Sequence, residues 1–89
     1  MRYSLGPLTL EETIDYVEHR IRVAGGARNP FSRKAMAEMH ALSGGIPRLI
    51  NTLATTALLD AFGEDAETID PQRVEAAARE HRLAEVAHG

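Results

Sequence analysis

Apolar residues recur at helical spacing from Leu10 onward. Leu10, Ile14, Val17, Ile21 and Ala24 fall within one narrow arc of a first helix. Thr9 and Glu12 stand at capping-box spacing before it, and Gly25-Gly26 closes it. A second helix is predicted from Ser32, with Phe31 and Met36 spaced as a hydrophobic staple and Ala35, Met36, Met39 and Leu42 as its buried face. Ser43-Gly44-Gly45 stops it.

A third helix opens near Pro47, whose missing N–H costs nothing in a first turn. Ile46, Leu49, Ile50, Leu53, Ala54, Ala57, Leu58, Ala61 and Phe62 cover more than half its circumference, which predicts a place at the centre of a bundle. Arg48, Thr52 and Thr55 form its polar strip, and Gly63 ends it. After an acidic loop over residues 64–68, Asp70 caps a fourth helix with Pro71 in its first turn. Ile69 and Val74 repeat the staple, and Val74, Ala77, Ala78 and His81 share a face. Beyond Arg82 the pattern loses its phase. No strand pattern appears between residues 9 and 82, so the expected fold is all-α, a compact four-helix bundle.

The expected organisation is an extended arm over residues 1–8, a helical domain over 9–82 and a frayed tail over 83–89. In the arm, Arg2-Tyr3-Ser4-Leu5 alternates polar and apolar residues, and Gly6-Pro7 breaks any helix. At 89 residues the chain suits one domain, and burial at this size leaves stability marginal, so a partner that covers more surface would help. There is no cysteine, which excludes disulfides and thiolate metal sites. No apolar run reaches the roughly 18 residues of a membrane span, and no signal peptide opens the chain. A cytoplasmic protein is the default expectation.

Charge is uneven. Residues 1–50 hold seven Lys/Arg against five Asp/Glu, and residues 51–89 hold three against eight, within a net charge of −3. A mildly basic half weighs against nucleic acid as the main partner. There is no Gly-x-x-x-x-Gly-Lys-[Ser/Thr] loop, no strand ending in an Asp-Glu pair and no nucleophile motif, so the chain is not expected to be an enzyme by itself. His19, His40, His81 and His88 are scattered over three helices and the tail, and no metal site is expected from them. Glu11, Asp15 and Glu18 read as a solvated face, with Glu18 and Arg22 at ion-pair spacing.

The segment Ser43-Gly44-Gly45-Ile46-Pro47-Arg48-Leu49-Ile50-Asn51 stands out. Two glycines make a tight turn, proline sets the first helical turn, and an arginine follows at the helix N-terminus. Backbone N–H groups and the helix dipole favour an anion there, and a guanidinium adds a planar fork suited to phosphate oxygens. The same residues also make an ordinary helix start with a surface cation.

Leu5-Gly6-Pro7-Leu8, Glu11-Glu12-Thr13, Tyr16-Val17-Glu18-His19-Arg20-Ile21, Ala24-Gly25, Phe31-Ser32 and the Ser43 to Asn51 run together resemble one family. They are similar to the C-terminal lid of AAA+ ATPases of the general secretion pathway protein A (ExeA) type, from about residue 2 to residue 80. The resemblance implies a lid that packs over nucleotide held by a preceding P-loop domain. Arg48 matches the sensor-2 arginine that reaches the ATP phosphates. Gly44, Gly45 and Pro47 match the turn that positions it, and Asn51 helps to shape that surface. ATP with Mg²⁺ belongs only to the full ATPase. The implied partners are the P-loop domain of the same parent chain, neighbouring subunits and secretion-apparatus proteins. The P-loop domain itself is missing from this sequence.

Two other function classes compete. In a stand-alone DNA-binding module, Arg28, Arg33, Lys34 and Arg48 would contact phosphates, although the third helix is too apolar for a groove. In a protein-interaction domain, Tyr16 and Val23, beside Arg20 and away from the main stripe of the first helix, would form a docking patch. One arginine and a helix terminus bind ATP weakly without a P-loop. Calorimetric titration of the 89-residue chain is expected to give a dissociation constant no tighter than roughly millimolar, about −4 kcal/mol.

Overall fold

The computed structural model describes residues 6–26 and 28–88, so the alternating Arg2 to Leu5 segment of the arm lies outside the described residues. Four helices follow in order: α1 (Leu10–Val23), α2 (Arg33–Ser43), α3 (Pro47–Gly63) and α4 (Pro71–His88). The fold is an all-α bundle.

Local chemistry sets each boundary. The Glu12 N–H donates to Thr9 Oγ1 at 3.2 Å and the Thr9 N–H donates to Glu12 Oε1 at 2.9 Å, completing the capping box of α1. At its other end Gly26 N–H reaches Ile21 O and Gly25 N–H reaches Arg22 O, a Schellman closure in which Gly25 takes φ +89°. Ser32 Oγ accepts from Ala35 N–H at 3.0 Å to cap α2. Asp70 Oδ1 accepts from Arg73 N–H at 3.0 Å at the start of α4. Helix α4 continues to His88, past the expected domain end at residue 82, because no Pro or Gly between Arg82 and His88 interrupts the backbone.

The residues before the α2 and α4 caps pair with each other. Phe31 and Ile69 form an isolated parallel bridge, in which Ser32 N–H donates to Ile69 O and Ile69 N–H donates to Pro30 O. Phe31 and Ile69 are buried, as are their staple partners Met36 and Val74. The two helices therefore begin side by side and pack along their length. The core runs through this seam, with Met39, Ile50, Val17, Ala35, Ala57 and Ala77 essentially inaccessible.

Helices α2 and α3 each touch all three other helices, whereas α1 and α4 lie apart among the described residues. The expected central place of α3 is thus shared with α2, and α3 is not fully enclosed. Its buried strip is narrow (Ile50, Leu53, Ala57 and Ala61), while Leu59 is 66% and Phe62 78% exposed. Leu42 is likewise exposed, and Ser43 takes the buried place at the end of α2, one turn beyond Met39.

Two carboxyl pairs flank α4. Glu38 of α2 shares a hydrogen bond with Glu75, and Glu80 shares one with Asp60 of α3. These bonds, together with burial and mutual repulsion, hold the Glu38 and Glu80 carboxyls above the ordinary value of 4.5. A raised folded pKa contributes stability that is full below the unfolded pKa and is lost as pH rises through the folded one. Glu38→Gln with Glu80→Gln keeps a donor in each pair at every pH. The double variant should melt roughly 1–4 °C above the wild type at pH 7, the scale of weak surface pairs in a domain of this size. That advantage should shrink toward zero as pH falls below 4.5; thermal melts followed by circular dichroism at pH 4 and pH 7 check it.

Candidate functional site

The turn between α2 and α3 is built around Gly45. Its φ is +80°, and a Cβ there would overlap the Leu8 carbonyl oxygen and lie 2.9 Å from Leu8 N. Gly44, at φ +65°, caps α2 in the left-handed conformation with open space beside it. The Ser43 hydroxyl accepts from Gly45 N–H at 3.1 Å and donates to His40 O. Gly45 is thus fixed by close approach and Gly44 by its φ alone.

Helix α3 then opens without a side-chain cap. Ile46 is the N-cap residue and offers no acceptor, and Pro47 occupies the first helical position. The Arg48 and Leu49 N–H groups belong to the unpaired first turn of an α-helix. Arg48 is exposed and, among the described residues, makes no ion pair. A cation in the first turn of α3 stands near the positive end of the helix dipole, a combination that suits an anion such as phosphate.

Arg48, Asn51, Thr52 and Thr55 lie at i, i+3, i+4 and i+7, along one side of α3. Thr52 Oγ1 donates to Arg48 O at 3.0 Å and is turned back on its own helix. Asn51 and Thr55 instead line a groove of about 140 Å³ between α1 and α3, with Tyr16, Arg20 and Leu58. Tyr16 and Asn51 are half-buried there. The structure therefore brings Tyr16 and Arg20, a separate docking patch in the sequence, onto the same groove as Asn51. It does not bring Val23, which is 70% exposed and outside the lining. A shallower apolar depression continues past Ile21 and Leu58 to Phe62, bordered by Arg28 and Glu67.

Other charged candidates are distributed differently. Arg33 is bound to Glu11 at 3.0 Å across α1 and α2. Glu18 and Arg22 are both exposed and form no ion pair with each other. Arg73, beside the acidic loop, binds Glu64 at 2.8 Å, and that contact raises its already high pKa. His19 is exposed on α1, and the His88 side chain lies outside the described residues.

Sequence reasoning missed two residues at this site. Leu8, placed in a free arm, is buried against the turn. His40, weighed only as a metal ligand or a helix-surface residue, donates from Nε2 to Leu8 O at 3.1 Å. A lone leucine after Gly-Pro, one residue before a helix cap, was the available signal.

Among the described residues no helix is long and apolar enough to cross a membrane. No family model matches the chain, and no solved structure matches it. General secretion pathway protein A of Aeromonas hydrophila is 44% identical to it over 68 residues, which is 76% of this chain and 12% of that protein. The chain is thus related to General secretion pathway protein A over three quarters of its own length, and it corresponds to a small part of that protein.

Proposed function

We propose that the chain is the C-terminal lid of an AAA+ ATPase that serves a secretion pathway, and that it senses nucleotide through Arg48. The observation that carries this reading is the exposed Arg48, without an ion pair among the described residues, on the uncapped first turn of α3 behind a glycine turn. The relation to General secretion pathway protein A supports the pathway. The Gly45-Ile46-Pro47-Arg48 order supports the lid assignment through its resemblance to AAA+ lids.

In this reading the nucleotide and its Mg²⁺ are held by a P-loop domain, and the lid supplies a guanidinium and two backbone donors. Arg48 binds the terminal phosphate oxygens and draws the bundle toward the P-loop domain. Loss of that phosphate on hydrolysis removes the contact and releases the lid. The lid is then a two-state element biased by differential affinity for the phosphate. The groove lined by Tyr16, Arg20 and Asn51 would face the P-loop domain or a neighbouring subunit, since it lies on the Arg48 side of α3.

Removing a charge-assisted phosphate contact costs on the order of 1.5–3 kcal/mol. In the complete ATPase, Arg48→Ala is expected to lower ATP turnover at least about tenfold, equivalent to 1.4 kcal/mol. The helical circular dichroism of the 89-residue chain should be unchanged by the same substitution. Arg48→Lys should restore only part of the rate, because an ammonium cannot reproduce the two-pronged contact. Turnover equal to wild type in Arg48→Ala would remove the sensor assignment.

A further inference from the structure

The last residues of the arm are held to the α2–α3 turn from two directions. Leu8 N–H donates to Gly45 O at 2.7 Å, and Leu8 O accepts from His40 Nε2 at 3.1 Å. A carbonyl can only accept, so His40 carries its proton on Nε2 when neutral. The Leu8 side chain is buried in the core beside these bonds.

Each contact restrains a different freedom. One hydrogen bond alone is a hinge about which the arm can swing. Two bonds on the N–H and C=O of one residue, with its side chain buried, fix that residue's orientation. The missing Cβ of Gly45 lets the Leu8 backbone come this close, because any side chain there would overlap Leu8 O. On the far side of the turn, Ser43 Oγ holds the Gly45 N–H. Only Ile46 and Pro47 separate Gly45 from Arg48, and proline has a fixed φ.

We infer that His40 and Gly45 are positioning residues that lock the arm to the turn carrying Arg48, so that the arm and the N-terminus of α3 move as one body. As a route from Arg48 to the preceding chain, this rests on the nucleotide-sensing reading given above. The lock itself does not. A displacement of Arg48 by a bound phosphate passes through Gly45 and Leu8 into the arm at Pro7 and Gly6. Conversely, the position of the arm at Leu8 sets that of the turn from which Arg48 extends.

The absence of cysteine makes a direct test simple. Spin labels at Gly6→Cys on the arm and Leu59→Cys on the exposed side of α3 report the distance between the two parts in the 89-residue chain. A single narrow distribution is expected. His40→Ala should broaden it and speed hydrogen exchange at the Leu8 amide about tenfold, the scale of one lost hydrogen bond. His40→Gln, whose side-chain amide can still donate to Leu8 O, should restore both. A residue that served stability alone would change the melting temperature and leave the distance distribution narrow. The inference is overturned if the wild type is already broad, or if His40→Ala leaves the distribution and the Leu8 exchange rate unchanged. No nucleotide enters these readouts, so they stand or fall separately from the effect of Arg48→Ala on turnover.

Discussion

The parallel bridge between Phe31 and Ile69 is the constraint on which the bundle depends. These residues are far apart in sequence, yet each immediately precedes the cap of a helix. Joining them sets α2 and α4 off from one point, and their staples, Phe31 with Met36 and Ile69 with Val74, close over the same buried volume. Two hydrogen bonds are a small enthalpic contribution. Their larger effect is to fix register, because side-chain packing along the α2–α4 seam follows once the two starts coincide. Helix α2, seated between α1, α3 and α4, carries that register to the rest of the fold.

A helix with so much apolar surface as α3 would ordinarily be enclosed. Here α1 and α4 lie on different sides of the bundle and leave part of α3 uncovered. The uncovered side begins at Arg48, passes Asn51 and Thr55, and ends at Phe62, so polar and apolar functions share one helix face. That face is where Tyr16 and Arg20 of α1 approach. Exposure of apolar area on a small domain costs stability.

The turn before α3 combines two kinds of economy. Gly44 and Gly45 give up side-chain packing and lose more backbone entropy than other residues would. In return the backbone of the arm approaches closely enough for Leu8 to be held at both its N–H and its C=O. The α3 N-terminus is left without a side-chain acceptor, since Ile46 occupies the cap position. An uncapped start is weakly unfavourable to the helix in isolation, but it leaves donors open beside an exposed arginine. A side-chain cap at that position would stabilise the helix and at the same time occupy those donors.

Periodicity and capping chemistry determine the four helices from the sequence alone, since both are local: Thr9 with Glu12, Ser32, Pro47 and Asp70 mark starts whose donors lie within a few residues. The Gly-Gly-Ile-Pro-Arg run likewise marks the candidate site, because its turn and its cation are contiguous. Tertiary structure decided the rest. Spacing along one helix shows which residues share a face, not which neighbour covers it. Leu42 and Phe62 are therefore open although both stand on apolar stripes. The pairing of Phe31 with Ile69, the convergence of Tyr16 with Asn51, and the hold of His40 and Gly45 on Leu8 each join residues more than thirty positions apart. No local rule relates such positions, because their contact exists only after the helices have packed.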